Sequence, residues 1–307
     1  MFELLVSFMN LRFSILVLLA CLASLHAAER PNFIVIFIDD LGYADVSPFA
    51  KDRYATPNLD RMAREGRKFT NFYSASSVCT PSRAAILSGC YPIRVSMLYN
   101  ETRPPHRHAS VLWPGSRKGL NPEEVTIAEV LKERGYRTAC FGKWHLGDQP
   151  PFLPTQQGFD EFYGTPNGHD MGVRAQPFGV PPAMVRNEKV VEELEVKDFA
   201  HLTRRYTRET IRFIKSVATK NPFFIYLPHN MAHGPHHASP AFLGKTGEGV
   251  YADAIAELDW SVGQILNLLV ELKIDQRTLV LFTSDNGGGH FPRMRVRNSS
   301  NTPFSGG

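Results

Sequence analysis

The segment Asn32-Phe33-Ile34-Val35-Ile36-Phe37-Ile38 restricts the fold more than any other stretch of the chain. It is apolar without alternation, rich in β-branched residues and short, so it reads as a strand covered on both faces. A strand of that kind needs helices above and below it, as in a parallel sheet. Thr56-Pro57-Asn58 supplies an N-cap and a first-turn proline for a short helix over residues 59–65, stopped at Gly66. Asn121-Pro122 offers a second helix start, with Ile127, Val130 and Leu131 on one face and Gly135 as the stop. Strands are expected over residues 137–141, 223–227 and 278–283, and helices over 199–218 and 251–273. Residues 164–187 are rich in Gly and Pro, lack periodicity and read as a long surface excursion. The alternation predicts an α/β fold, a mostly parallel central sheet flanked by helices.

The 307 residues are 43% hydrophobic and 21% charged, an ordinary globular balance that excludes a disordered chain, a collagen-like repeat and a multi-span membrane protein. A net charge of +4 is too mild and too dispersed to imply nucleic acid as a partner. Residues 1–28 are expected to be a signal peptide, with Arg12 ahead of an apolar run and small residues towards its end. A membrane anchor is the weaker reading, because the uninterrupted apolar stretch is short for a bilayer span; a lipoprotein-type site at Cys21 ranks second to the signal peptide, because apolar residues continue past it. The expected destination is outside the cytoplasm: periplasm, cell surface or medium. Beyond the signal remain Cys79, Cys90 and Cys140, an odd number, so a disulfide framework is not what holds the domain together.

Each predicted strand is followed by polar residues. Asp39 and Asp40 follow the first, Lys143 and His145 the second, His229, His233, His236 and His237 the third, and Asp285 and Asn286 the last. In open α/β sheets the ligand crevice lies outside the carboxyl ends of the strands, so four loaded strand ends predict one shared site. Asp39, Asp40, Asp285 and Asn286 offer hard oxygen atoms and no sulfur, a set that selects Ca2+ or Mg2+ over zinc or copper. A single Asp-Asn pair would more simply cap a turn; two pairs on one rim favour a metal. Between residues 77 and 89, Thr80 and Pro81 read as the N-cap and first position of a helix. That puts Cys79 at its positive end and Arg83 about one turn further on. Taken without its neighbours, Cys79 would be read as a buried, unreactive cysteine.

The string Cys79-Thr80-Pro81-Ser82-Arg83, followed by a helix of small residues, resembles the signature of the type I sulfatases of the alkaline phosphatase superfamily. Asn32 to Tyr43, with its Asp39-Asp40 pair, resembles the family's first strand and metal pair. Gly142-Lys143-Trp144-His145-Leu146-Gly147 is similar to its second signature, and the blocks Gln157 to Gly164, around His233, and Ser284-Asp285-Asn286-Gly287-Gly288 follow in the family's order. The resemblance covers about residues 31–307, with 29–307 read as the large part of a sulfatase catalytic domain. It implies that a formylglycine-generating maturation enzyme oxidises Cys79 to formylglycine, whose hydrated aldehyde is the nucleophile. It further implies that Arg83 holds that side chain, and that Asp39, Asp40, Asp285 and Asn286 bind Ca2+ together with the group derived from Cys79. His145 would hydrogen-bond the diol, Lys143 neutralise the sulfate and His233 protonate the leaving oxygen. The implied substrate is a sulfated carbohydrate or an aryl sulfate. The alternatives are a phosphate or phosphonate ester hydrolase of the same superfamily and a non-catalytic protein that binds sulfated glycans. Three features depart from the family pattern. Cys90 stands where arginine is usual, Gly168 stands where some arylsulfatases place a serine, and the sequence stops at Gly307 where a Gly-Gly-Lys segment is approached. On that last feature the chain is expected to be truncated, without the family's small carboxy-terminal domain, with an exposed sheet edge, poor solubility and little turnover.

Overall fold

The computed structural model of the protein describes residues 30–50, 52–99, 109–174, 181–289 and 299–304. Its strands are β1 (Asn32–Ile38), β2 (Arg137–Phe141), β3 (Glu161–Gly164), β4 (Ala183–Arg186), β5 (Lys189–Glu193), β6 (Phe223–Pro228) and β7 (Thr278–Ser284). They form one sheet in the order β5-β4-β3-β2-β6-β1-β7. Strands β3, β2, β6, β1 and β7 run parallel, and the β4–β5 hairpin continues the sheet antiparallel from β3. The register sets Ile36 of β1 beside Leu227 of β6 and Phe282 of β7, and Ala139 of β2 beside Ile225 of β6.

The apolar run of β1 is explained by two cores. Successive side chains leave opposite faces of a strand, and Ile34, Ile36 and Ile38 join one core while Val35 and Phe37 join the other. The first core is closed by helices α1 (Pro57–Glu65), α5 (Leu202–Val217) and α6 (Val250–Glu271), through Leu59, Phe213, Ile214, Ile255, Leu258 and Val262. The second is closed by α2 (Cys79–Ser88) and α3 (Ile127–Glu133), through Ala84, Leu87 and Ala128. A central parallel sheet with helices on both faces is the α/β architecture expected from the sequence.

Several local expectations are corrected. Helix α3 does not start at Asn121-Pro122. Its N-cap is Thr126, whose hydroxyl accepts from the Glu129 amide at 3.2 Å while the Glu129 carboxylate accepts from the Thr126 amide at 2.7 Å, a reciprocal box that outcompetes the upstream proline. Helix α2 begins at Cys79 with Val78 as its extended N-cap, so Thr80 is inside the first turn and its hydroxyl bonds elsewhere. The segment 199–218 opens as a 3-10 turn over Val196–His201 before α5. The supposed surface excursion 164–187 contains the short helix α4 (Met171–Arg174) and strand β4, whose Met184 is fully buried. Among the described residues β7 is a sheet edge, with Leu279 50% and Leu281 43% exposed. The signal peptide expected in residues 1–28 and the terminal Ser305-Gly306-Gly307 lie outside the described residues. No helix among the described residues is long and apolar enough to cross a membrane.

Candidate active site

The four loaded strand ends belong to β2, β6, β1 and β7, which are neighbours in the sheet. Their parallel direction puts every carboxyl end on one rim, the place where such sheets bind ligands. Helix α2 aims its N-terminus at that rim and is stitched to both sides of it. Thr80 Oγ1 donates to the His145 carbonyl at 2.9 Å and accepts from the Leu112 amide at 3.2 Å, while Ser82 Oγ donates to the Asp285 carbonyl. Gly89, at φ +67°, ends the helix in the left-handed conformation with its amide on the Ala85 carbonyl.

Asp39 is the hub. Its Oδ1 accepts from Cys79 Sγ at 3.2 Å and from an Arg83 guanidinium nitrogen at 3.0 Å, and its Oδ2 accepts from Lys143 Nζ at 2.6 Å. The same Arg83 nitrogen donates to Asp285 Oδ2 at 3.0 Å, and another donates to the Lys143 carbonyl at 2.8 Å. Asp285 Oδ1 accepts from the Asp40 amide at 3.1 Å. Arg83, Asp39 and Asp285 are fully buried, and the guanidinium lies 5.6 Å from the Phe37 ring centre.

The charges of this cluster do not balance evenly. Burial works against the Asp39 carboxylate, but the Lys143 and Arg83 charges outweigh it and hold Asp39 well below its ordinary range. Asp285 also touches Arg83, yet burial and the neighbouring Asp39 charge push it well above. Asp40 is raised by burial, with His233 opposing and Asp39 adding to the rise. Burial works against the charged Lys143, but Asp39, with Cys79 and Asp285 adding to it, outweighs that cost and raises it. Burial, then Asp39, pushes the Cys79 thiol well above its ordinary value, so in the unconverted chain it stays an S–H donor to Asp39.

These features fit a hard cation. Oxygen atoms of Asp39, Asp40 and Asp285 lie within 4.8 Å of one another. Asn286 Nδ2 donates to Asp40 Oδ1 at 2.7 Å, which leaves Asn286 Oδ1 buried without a hydrogen-bond partner among the described residues. Three carboxylates and an orphaned amide oxygen form an oxygen-only donor set, and the raised Asp40 and Asp285 mark the negative charge that a cation would relieve.

Two histidines complete the rim. His145, at φ +61°, donates through Nε2 to the Leu112 carbonyl at 3.0 Å, since a carbonyl only accepts; this leaves Nδ1 as a buried lone pair with no partner among the described residues. Burial, then the Lys143 and Arg83 charges, lower His145 well below its ordinary value, so the ring is neutral. His233 Nδ1 donates to the Gly234 carbonyl at 2.6 Å and lies 4.0 Å from Asp170 Oδ1, while its Nε2 faces Asp40 Oδ2 at 3.6 Å. The other histidines of the cluster stand apart. His229 is fully buried, His236 packs on Tyr251 and His237 on Phe199. All nine expected residues therefore converge, from Asp39 to Asn286. Sequence reasoning missed the ties made by Thr80 and Ser82 and the place of Asp170 behind His233; the Gly168-His169-Asp170 string was the only signal for the last. A β-carbon at Gly168 would stand 3.7 Å from Lys143 Nζ, so this position does face the site.

The sulfatase family model matches residues 31–307. N-acetylgalactosamine-6-sulfatase of Canis lupus familiaris is 40% identical over 297 residues, covering 93% of this chain and 55% of that protein. Arylsulfatase A of Homo sapiens is 38% identical over 288 residues, covering 88% and 54%. Among solved structures, the PsFucS1 sulfatase from Pseudoalteromonas sp. superposes with a TM-score of 0.79 at 27% identity, covering 94% of this chain and 61% of that one. Ps i-CgsB, solved with a neocarrahexaose, superposes at 0.76 and 30%, covering 91% and 62%. The chain spans about half the length of the curated relatives it matches, 55% and 54% for the two above. With its α/β sheet, the carboxyl-end rim and these relatives together, the chain belongs to the sulfatase family, the type I sulfatases of the alkaline phosphatase superfamily.

Proposed function

We propose that this protein hydrolyses sulfate esters of carbohydrates, with a formylglycine made from Cys79 by a maturation enzyme and with Ca2+ held by Asp39, Asp40, Asp285 and Asn286. The observation that carries this reading is the convergence of Cys79 Sγ, Arg83 and Lys143 on the Asp39 carboxylate, beside an oxygen-only cation site. When present, the cation polarises sulfate oxygens and the hydrated aldehyde supplies the attacking hydroxyl. The rest is the work of this chain's own side chains. Lys143, kept charged by Asp39, neutralises the incoming sulfate. Arg83 ties Asp39 to Asp285 and fixes the spacing of two donors. The Nδ1 lone pair of His145 accepts a hydrogen bond from a hydroxyl at position 79. His233, its Nδ1 on the Gly234 carbonyl, turns Nε2 to the rim, where an acid for the departing oxygen is needed. Gly168 supplies no side chain to the site, and a β-carbon there would stand 3.7 Å from Lys143 Nζ.

The carbohydrate substrate is supported by the relatives named for N-acetylgalactosamine-6-sulfate and by the neocarrahexaose complex. Export rests on the sequence of residues 1–28. The test pairs the mass of the tryptic peptide containing Cys79 with turnover of 4-nitrophenyl sulfate against 4-nitrophenyl phosphate. Formylglycine together with a preference for the sulfate ester is expected. An unmodified thiol in fully active protein, or a preference for phosphate, would overturn the reading, and so would undiminished turnover by the Cys79→Ala variant.

A further inference from the structure

A cavity of about 260 Å3 opens beside the rim, between the loop after β2, the loop after β3 and the β4–β5 hairpin. None of the residues discussed for sulfate cleavage lines it except Gly168, and position 168 is the bridge: one side of it borders the cavity and its β-carbon direction points towards Lys143 Nζ. A β-carbon at Gly168 would meet Asp170 Oδ1 at 2.7 Å and Lys143 Nζ at 3.7 Å, so residue 168 sets the cavity next to the Lys143 side of the rim. The lining is rich in proline, Pro166 and Pro182 among them, with Asp148, Asn167 and Glu188 as its polar members. Asp148 Oδ2 accepts from the Gly115 amide at 2.7 Å and from Asn167 Nδ2 at 2.9 Å. This fixes the Asn167 amide with its oxygen and second N–H left for a ligand. Glu188, also in the lining, accepts from Thr155 and Gln156.

Resting on the sulfatase reading above, we infer that this cavity is a subsite for one neutral sugar unit adjoining the unit that carries the scissile sulfate. The volume falls below the roughly 300–1,000 Å3 of pockets that take drug-sized ligands, which suits one ring. A proline-rich lining for apolar C–H faces, with an amide and carboxylates for hydroxyl groups, matches the amphipathic surface of a hexose. No aromatic side chain lines the cavity among the described residues. No lysine or arginine lines it among the described residues either, while Asp148 and Glu188 both do. A second sulfate or a uronate in this position would meet like charge. The structure thus assigns the two units by electrostatics: anionic at Lys143, uncharged in the cavity.

The experiment measures binding by calorimetry to the full chain carrying unconverted Cys79, so that no probe is consumed. The probes are galactose and N-acetylgalactosamine sulfated at position 4 or 6, each of these linked to an unsulfated hexose, and the same disaccharides with a second sulfate on that hexose. The monosulfated disaccharide is expected to bind at least about tenfold more tightly than its monosaccharide, and the second sulfate to remove the gain. Asn167→Ala should abolish the gain while leaving the monosaccharide affinity unchanged, and Glu188→Lys should restore binding of the doubly sulfated probe. Equal affinities for mono- and disaccharide, or tighter binding of the doubly sulfated probe to the unaltered chain, would overturn the subsite alone. Failure of every sulfated probe to bind would overturn the sulfatase reading, and the subsite with it.

Discussion

Replacing Arg83 by alanine tests how the rim is held together. The wild-type guanidinium is fully buried and spans Asp39 and Asp285 at 3.0 Å each, while also donating to the Lys143 carbonyl at 2.8 Å. Alanine leaves two buried carboxylates facing each other, with Lys143 as the remaining cation on Asp39 and none on Asp285. Breaking a buried ion pair by removing one partner costs about 3–5 kcal/mol. Against a total stability of about 5–15 kcal/mol, that is a large fraction. The assay is urea denaturation in metal-free buffer and again with saturating Ca2+. Without metal the Arg83→Ala variant should lose about 3–5 kcal/mol; with Ca2+ part of the loss should return, because the cation takes over the neutralisation of Asp39 and Asp285. If the variant does not fold alone, Asp39→Asn combined with Arg83→Met supplies the second measurement. Removing both charges should leave the double variant more stable than Arg83→Ala, since the pair is coupled. A midpoint for Arg83→Ala that stays within about 0.5 kcal/mol of wild type, the ordinary range for surface substitutions, would refute the account of Arg83 as the clamp between two carboxylates.

Three further outcomes follow from the same geometry. Asp285 and Asp40 are both raised, so each keeps its proton to higher pH than an ordinary carboxyl and a cation competes with that proton; Ca2+ affinity should rise with pH and binding should release protons where these groups titrate, and calorimetry in buffers of different ionisation enthalpy checks both, an affinity that falls as pH rises contradicting it. Burial lowers His229 from 6.5 to about 3, so the unfolded chain binds this proton first. Stability is fully present above pH 6.5 and is lost as pH falls towards 3, by at most about 1.4 kcal/mol per pH unit for this one group. Melting curves across that range for wild type and His229→Gln should show a shallower slope in the variant. Gly142 sits at φ +141°, and a β-carbon there would overlap the Pro228 carbonyl, so Gly142→Ala should fail to give soluble folded protein, a result read directly from expression and gel filtration.

Much of the architecture was legible because local physics writes it into the chain. The apolar run of β1 requires cover on both faces, and the proline and glycine boundaries of α1 and the left-handed Gly89 stop of α2 appear as residue types in the expected places. The polar pairs after each strand are equally visible, since side chains that must not be buried in the sheet collect at its ends. Elements lacking a local signal were not legible. Strand β3 has four residues and β4 lies in a segment rich in Gly and Pro; β3 exists because β2 offers an edge to pair with, and β4 because β3 then does. The start of α3 was misplaced because Asn121-Pro122 and Thr126 compete, and only the capping box with Glu129 decides between them.

The sequence by itself determined that this is an α/β chain, and which residue types stand at the ends of its parallel strands. Only the tertiary structure decided which of them meet. Lys143 and Arg83 share Asp39 because the sheet order sets β2, β6, β1 and β7 side by side, joining residues 104 and 44 positions apart. Burial then separates carboxylates that are chemically identical in the sequence, holding Asp39 down where two cations reach it and pushing Asp285 up where one does. That division of charge depends on distance and desolvation, which arise when the strands pair and the rim closes.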